Sequence, residues 1–234
     1  MIHHHPDNNM LLEYASGSLN WAHSLVVSAH LQLCTKCAAQ YRMMNSIGGT
    51  LLDSAVPATN EDGESANAFA RLMDRIESGD QAPEKQAEKV VARVHKPFAM
   101  KDPVFSDLPP VVSKLMRTNS TLKWRRLSKG LKEARLKTGQ RHHEVSFHRI
   151  APGNKVAEHD HRGKEITMVL YGSFSDADGV YTRGDFLVRE PGEIHRPTAT
   201  QDQECLCLSV VEAPVALTGV FGKLINPFLS IKPQ

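Results

Sequence analysis

Residues 153–172 read GNKVAEHDHRGKEITMVLYG, and the order of polar and apolar residues here decides the class of the carboxy-terminal half. His159 and His161 are two apart, so on a strand both side chains leave the same face. Glu165 enters after a turn at Arg162-Gly163, and Ile166 to Tyr171 then form an apolar, β-branched run. His195 stands further along. Three imidazoles and one carboxylate around one ion leave room for water, oxygen or a small molecule. Zn, Mn, Fe, Ni and Cu all accept such donors, so the expected cofactor is Zn or another divalent transition metal. The bland alternative is a barrel that keeps its histidines without metal. Burying several unpaired imidazoles together argues against it.

Outward from this stretch, short strand-like runs repeat between turn signals. They are 144–150, 166–171, 185–188 and 205–211, with turns at 151–154, 176–179 and 191–192. Strands at this spacing imply an all-β barrel or double sheet. Cys205 and Cys207 alternate on the last run and share a face, as inert packing or as a redox-sensing thiol pair. Gly153, His159, His161, Glu165 and Gly172 resemble the first cupin motif at every fixed position. The second motif is partial. Gly184, Gly192 and His195 fit, whereas Glu190 stands at the usual proline position and Ala199 at the usual asparagine. The resemblance implies a metal held by His159, His161, Glu165 and His195.

The first eighty residues read as helices. Asp7 and Asn8 cap a helix carrying Met10, Leu11, Leu12 and Tyr14, which Gly17 ends. A second starts near Asn20 and carries Trp21, Leu25, Val26 and Ala29. A third carries Ala38, Tyr41, Met44 and Ile47 and meets Gly48-Gly49, and a fourth carries Phe69, Leu72, Met73 and Ile76. His30, Cys34 and Cys37 share one face of an unbroken helix but would spread over roughly 10 Å of its axis. One ion gathers them only if the helix breaks, which predicts a break between Leu33 and Thr35. An amino-terminal histidine then closes the tetrahedron; His5 is the expected donor, with His3 and His4 beside it. The alternative is a polar helix face with two free core cysteines.

The string from His5 through 11–19 to His30-x3-Cys34-x2-Cys37 resembles the zinc-binding anti-sigma domain of the ChrR family and related anti-sigma factors. That resemblance implies zinc on His5, His30, Cys34 and Cys37. The expected fold class is therefore two-domain α + β: a small zinc-binding helical domain followed by an all-β cupin-like barrel. Its expected parts are a helical domain at 1–80, a linker at 81–110 and a cupin-like barrel at 111–234. Prolines and polar residues punctuate the linker, and a short helix through Val90, Val91 and Val94 is expected inside it.

The net charge of +2 over 234 residues marks no nucleic-acid binder. The basic run from Lys123 to Arg141 reads as charge protecting exposed strand edges. His142 and His143 are expected in a solvated turn, while His148 alternates with Ser146, a spacing that leaves open whether it faces the barrel interior. No window approaches the roughly 18–20 apolar residues of a membrane helix, and no leader opens the sequence. The expectation is a cytoplasmic protein with no direct nucleic-acid or membrane partner. The ChrR resemblance implies an anti-sigma factor, not an enzyme. It would sequester an extracytoplasmic-function-type sigma factor and release it when singlet oxygen or organic hydroperoxide reaches the cupin-like domain. Phe69, Leu72, Met73 and Ile76 are the candidate sigma contacts. The competing reading is a metal-dependent cupin enzyme such as a dioxygenase.

Overall fold

The structure is a computed structural model that describes residues 1–55, 63–78, 102–119, 121–219, 226 and 231. The expected helix through Val90, Val91 and Val94 lies outside the described residues. Two compact units emerge. One joins Met1–Gly48 to Met100–Gln234, and the other is Gly49–Ala99.

Helix α1 (Asn8–Ser16) begins where the Asp7 carboxylate accepts the Met10 N–H at 2.7 Å, and it ends at Gly17 in the left-handed region. Helix α2 (Trp21–Leu31) starts at Asn20, whose Oδ1 accepts the His23 N–H at 3.0 Å. Its buried residues lie all round the axis, from Ala22 and His23 to Ala29 and His30, so it is a core helix. The expected break is present. The N–H groups of Leu33 and Cys34 both bond the His30 carbonyl, and α3 (Thr35–Asp53) sets off anew.

Helix α3 differs from expectation in two respects. It runs through Gly48 and Gly49 to Asp53 instead of stopping there. Its apolar stripe is also not core, since Cys37 is its buried residue and Ile47 is 55 % exposed. In the second unit α4 (Gly63–Glu77) presents Phe69, Leu72 and Ile76 at 64, 51 and 64 % exposure, with Met73 half-buried.

The β-rich part opens with a 3-10 turn (Pro103–Phe105) and α5 (Pro110–Thr118). Val104 and Phe105 are buried, and the Phe105 ring meets Phe147 with centroids 5.9 Å apart. The end of the stretch expected as linker is therefore packed structure. Eleven strands follow among the described residues: β1 (Arg125–Ser128), β2 (Leu131–Arg135), β3 (Glu144–Ile150), β4 (His159–Asp160), β5 (Glu165–Tyr171), β6 (Ser173–Ser175), β7 (Val180–Thr182), β8 (Phe186–Arg189), β9 (Thr198–Ala199), β10 (Cys205–Val211) and β11 (Ala216–Leu217). They form a six-stranded sheet β1-β2-β3-β10-β5-β8, a pair β11-β4 and a three-stranded sheet β7-β6-β9. The cupin-like architecture is as expected, but these sheets do not join into a closed hydrogen-bonded barrel.

Strand β10 is buried on both faces, as a central strand covered on both sides must be. One face, with Cys205 and Cys207, belongs to the inner core, and α2 packs across β5 and β10. The basic run supplies the edge strand β1, exposed throughout, whose Arg125 reaches Glu133 at 2.9 Å.

Candidate metal centres

The first centre gathers at the α2–α3 break. His5, His30, Cys34 and Cys37 bring one donor atom each to within 4.8 Å of one another. The His5 Nδ1 lies 3.5 Å from His30 Nε2, 3.5 Å from Cys34 Sγ and 3.4 Å from Cys37 Sγ. Bonds of about 2.0 Å to nitrogen and 2.3 Å to sulfur give tetrahedral edges of roughly 3.3–3.8 Å. The donor spacing therefore fits a tetrahedral N2S2 ion. Cys34 sits at the start of α3, where the Cys37 N–H points to its sulfur at 3.5 Å. Burial pushes the His30 imidazole down to about 4, which keeps it neutral, and pushes the Cys37 thiol up to about 12. His3 and His4 do other work. Their N–H groups bond Asp185 at 2.7 and 2.9 Å, and the His4 carbonyl accepts the Phe186 N–H.

This centre is anchored to the β-rich part. The outer nitrogen of His30, Nδ1, donates to the Gly184 carbonyl at 2.9 Å, which fixes the tautomer and turns Nε2 towards the cluster. Gly184 has φ +95°, and a Cβ there would meet the Ile2 side chain at 2.5 Å. Only glycine allows the amino-terminal segment to lie this close.

The second centre lines a cavity of about 390 Å3. His159, His161 and His195 form one donor group, with His159 Nε2 and His195 Nε2 3.1 Å apart. A bridge between the backbones of His159 and His195 sets this approach. His161 is buried; its Nδ1 faces Glu165, and its Nε2 has no hydrogen-bond partner, as a metal-ligating nitrogen would. Burial pushes His195 down to about 4 and lowers His159 too, so both offer neutral nitrogens. Glu165 stands beside the three histidines. Its Oε2 is 3.2 Å from His161 Nδ1, while Oε1 accepts the hydroxyls of Thr167 and Ser209 at 2.8 Å each. Burial alone would raise its carboxyl, but the hydrogen bond from His161 and the adjacent imidazoles hold it well below the ordinary range.

Several residues of this site carry no sequence motif. Asp176, in the turn before β7, holds His195 Nδ1 at 3.2 Å and the Arg189 guanidinium at 2.8 Å. His148 does face the cavity, and the neighbouring Glu133 raises its pKa against the effect of burial. Cys205 and Cys207 lie 3.6 Å apart, sulfur to sulfur, and both are buried; the hydrogen bond between them, with the proton on Cys207, and burial push the Cys207 thiol far up. Because Asp176 orients a ligand, Asp176→Asn should weaken metal binding at the second centre about 10–100-fold. The first centre should keep its metal. Titration with a chromophoric chelator on the full chain reads both.

Fold and donor sets together define a cupin-like protein that carries a separate His/Cys donor cluster, a candidate metal site, at its amino terminus. The family described as ChrR cupin-like domain matches residues 112–215. The anti-sigma-E factor ChrR of Cereibacter sphaeroides is 31 % identical over 230 residues, covering 98 % of this chain and 99 % of its own. In the crystal structure of Rhodobacter sphaeroides SigE in complex with the anti-sigma ChrR, a chain aligns with 90 % of this one and 99 % of itself, at 29 % identity and a TM-score of 0.67. The polyketide cyclase RemF of Streptomyces resistomycificus aligns with 43 % of this chain and 82 % of its own, at 19 % identity and a TM-score of 0.40. The chain belongs to the ChrR family of anti-sigma factors. Among the described residues no helix is long and apolar enough to cross a membrane.

Proposed function

We propose that this protein is a zinc-dependent anti-sigma factor acting in the cytoplasm. It sequesters an extracytoplasmic-function-type sigma factor and releases it when singlet oxygen or organic hydroperoxide reaches the cupin-like domain. The observation that carries the reading is the four-donor cluster of His5, His30, Cys34 and Cys37, in a chain similar to ChrR along nearly its whole length. Zinc is the preferred ion because two thiolates and two imidazoles at tetrahedral spacing are its structural donor set. At the second centre a divalent transition metal, zinc among them, would rest on the three histidines, with Glu165 as fourth donor. When bound, such an ion supplies a coordination position open to an oxidant or small ligand.

Residues 1–80 act as the sigma-binding domain and 111–234 as the receiving domain in this reading. The exposed stripe Phe69, Leu72 and Ile76 on α4, with Met73, supplies apolar contact to sigma. Strand β8 offers a route for the signal. Gly184 to Phe186 bond His30 and the amino-terminal segment at one end, and at the other Arg189 reaches Asp176, which in turn holds His195. Cys205 and Cys207 would serve as a redox pair only after an oxidant entered the cavity, since both thiols are buried.

The test is binding of the full chain to the sigma factors of its source organism. Leu72→Glu places a charge on an exposed position, so the fold is kept while the contact is lost. Affinity for the cognate sigma factor should fall at least about tenfold, as for a central apolar anchor. Unchanged affinity would exclude α4 from the contact, and no complex with any sigma factor would end the reading.

A further inference from the structure

Away from both centres, His23, His143 and Glu212 converge where α2 meets the β-rich part. We propose that these three side chains form a third metal site, for a divalent transition cation of the zinc class, that fastens α2 to the sheet. The placement follows from register. Glu144 pairs with Val211 across β3 and β10, so His143 and Glu212 are the next residues beyond that pair. His23 comes down on them from the first turn of α2.

The distances are those of donors around an ion rather than of hydrogen bonds. His23 Nε2 is 3.5 Å and His143 Nε2 3.7 Å from Glu212 Oε1, and the imidazole rings stand 5.1 Å apart in a T-shaped pair. Good N–H···O bonds fall at about 2.7–3.2 Å, whereas tetrahedral edges for 2.0–2.1 Å bonds fall near 3.3–3.4 Å. One donor atom from each residue lies within 4.8 Å of the other two. His23 is 4 % exposed, and its Nε2, aimed into this group, has no hydrogen-bond partner. A buried ring nitrogen without a partner requires an explanation, and a cation provides one. Burial also keeps His23 neutral, the form that binds metal.

The surrounding charges tolerate a cation. Lys164 is the nearby ammonium, and Glu190 holds it at 3.1 Å. The second oxygen of Glu212 accepts the Lys164 N–H at 3.3 Å, which steadies the carboxylate. Two imidazoles and one carboxylate leave a fourth position for water.

One contact opposes the ion and supplies a sharp test. The Asn20 amide nitrogen lies 2.8 Å from His23 Nδ1, while Asn20 Oδ1 caps the His23 N–H. A metal on Nε2 puts the ring proton on Nδ1, which then needs an acceptor. Asn20→Asp offers a carboxylate that serves both the cap and the ring, so it should tighten the third site. His30 lies about two turns further along α2, on the same face. A third ion would therefore hold the other end of the helix that carries a first-centre ligand. This inference is independent of the anti-sigma reading.

Metal content of the full chain, equilibrated with zinc and then with cobalt, decides it. Wild type should bind three equivalents, and His143→Ala and Glu212→Gln two. Both variants should retain the sulfur-to-cobalt absorption that marks Cys34 and Cys37. Asn20→Asp should bind the third equivalent about tenfold more tightly or better. Equal metal content in wild type and His143→Ala, or an equivalent lost in His143→Ala that wild type binds more weakly than about 100 μM, would overturn the proposal. Glu212→Gln preserves side-chain shape and guards against a misfolded His143 variant.

Discussion

Cys34→Ser should lose one equivalent of metal and, with it, sigma binding. The first centre draws on residues with almost no surface: His30 is 0 %, Cys37 1 % and Cys34 4 % exposed. Structural zinc contributes about 10–16 kcal/mol to the folding of small modules at neutral pH. Losing one of four donors should therefore cost at least ~3 kcal/mol and loosen the α2–α3 break. Metal analysis and thermal melting of the full chain check this, with the cognate sigma factor titrated in the same preparation. Retained zinc and retained affinity together would remove the basis of the anti-sigma reading.

The same centre should depend steeply on pH. Burial holds the proton on Cys37 up to about pH 12 when no metal is present, so binding must expel it. Burial keeps His30 neutral down to about pH 4, so that imidazole does not compete for a proton near neutrality. Apparent affinity should then rise about tenfold for each pH unit between pH 6 and 8 for the Cys37 proton alone. Competition with a chelator of known pH dependence measures the slope, and a flat profile would contradict the buried neutral thiol.

The residues that hold these centres differ in how far sequence exposes them. The α2–α3 break was legible because one ion cannot collect His30, Cys34 and Cys37 along a straight axis. Strands β3, β5 and β10 were legible from β-branched and apolar runs between turns. The stripe Tyr41, Met44 and Ile47 misled, because periodicity reports an apolar face and not what covers it. Asp176, Arg189 and Asp185 were invisible as a set. Single charged residues in turns and strand ends have no spacing signature, and their partners are distant in sequence. His143 looked like a turn residue because register with Glu212 appears only once β3 and β10 are paired. Its side chain is 15 % exposed, whereas His142 is exposed as expected.

Asp185→Ala should weaken the first metal centre even though Asp185 touches none of its four donors. Its side chain is fully buried and accepts four bonds, from the N–H groups of His3, His4 and Thr182 and from the Thr182 hydroxyl. Burial would raise this carboxyl, but those N–H donors outweigh it and hold the pKa below the ordinary value. Its stabilisation is therefore complete above about pH 4, where the unfolded chain's aspartate ionises, and is lost as pH falls through the depressed folded value. Alanine leaves three backbone N–H groups without their acceptor, at about 1–3 kcal/mol for each one that stays buried. The segment that loses its anchor carries His5. Placing that donor would then have to be done by the ion alone, so metal affinity at the first centre should fall about tenfold or more. The fall should come with weaker sigma binding and with an intact second centre. Asp185→Asn, which keeps an acceptor oxygen, should recover part of the loss. If the alanine variant binds metal at the first centre as tightly as wild type, the amino-terminal segment is not held from the cupin-like side. The route through β8 would then fail with it.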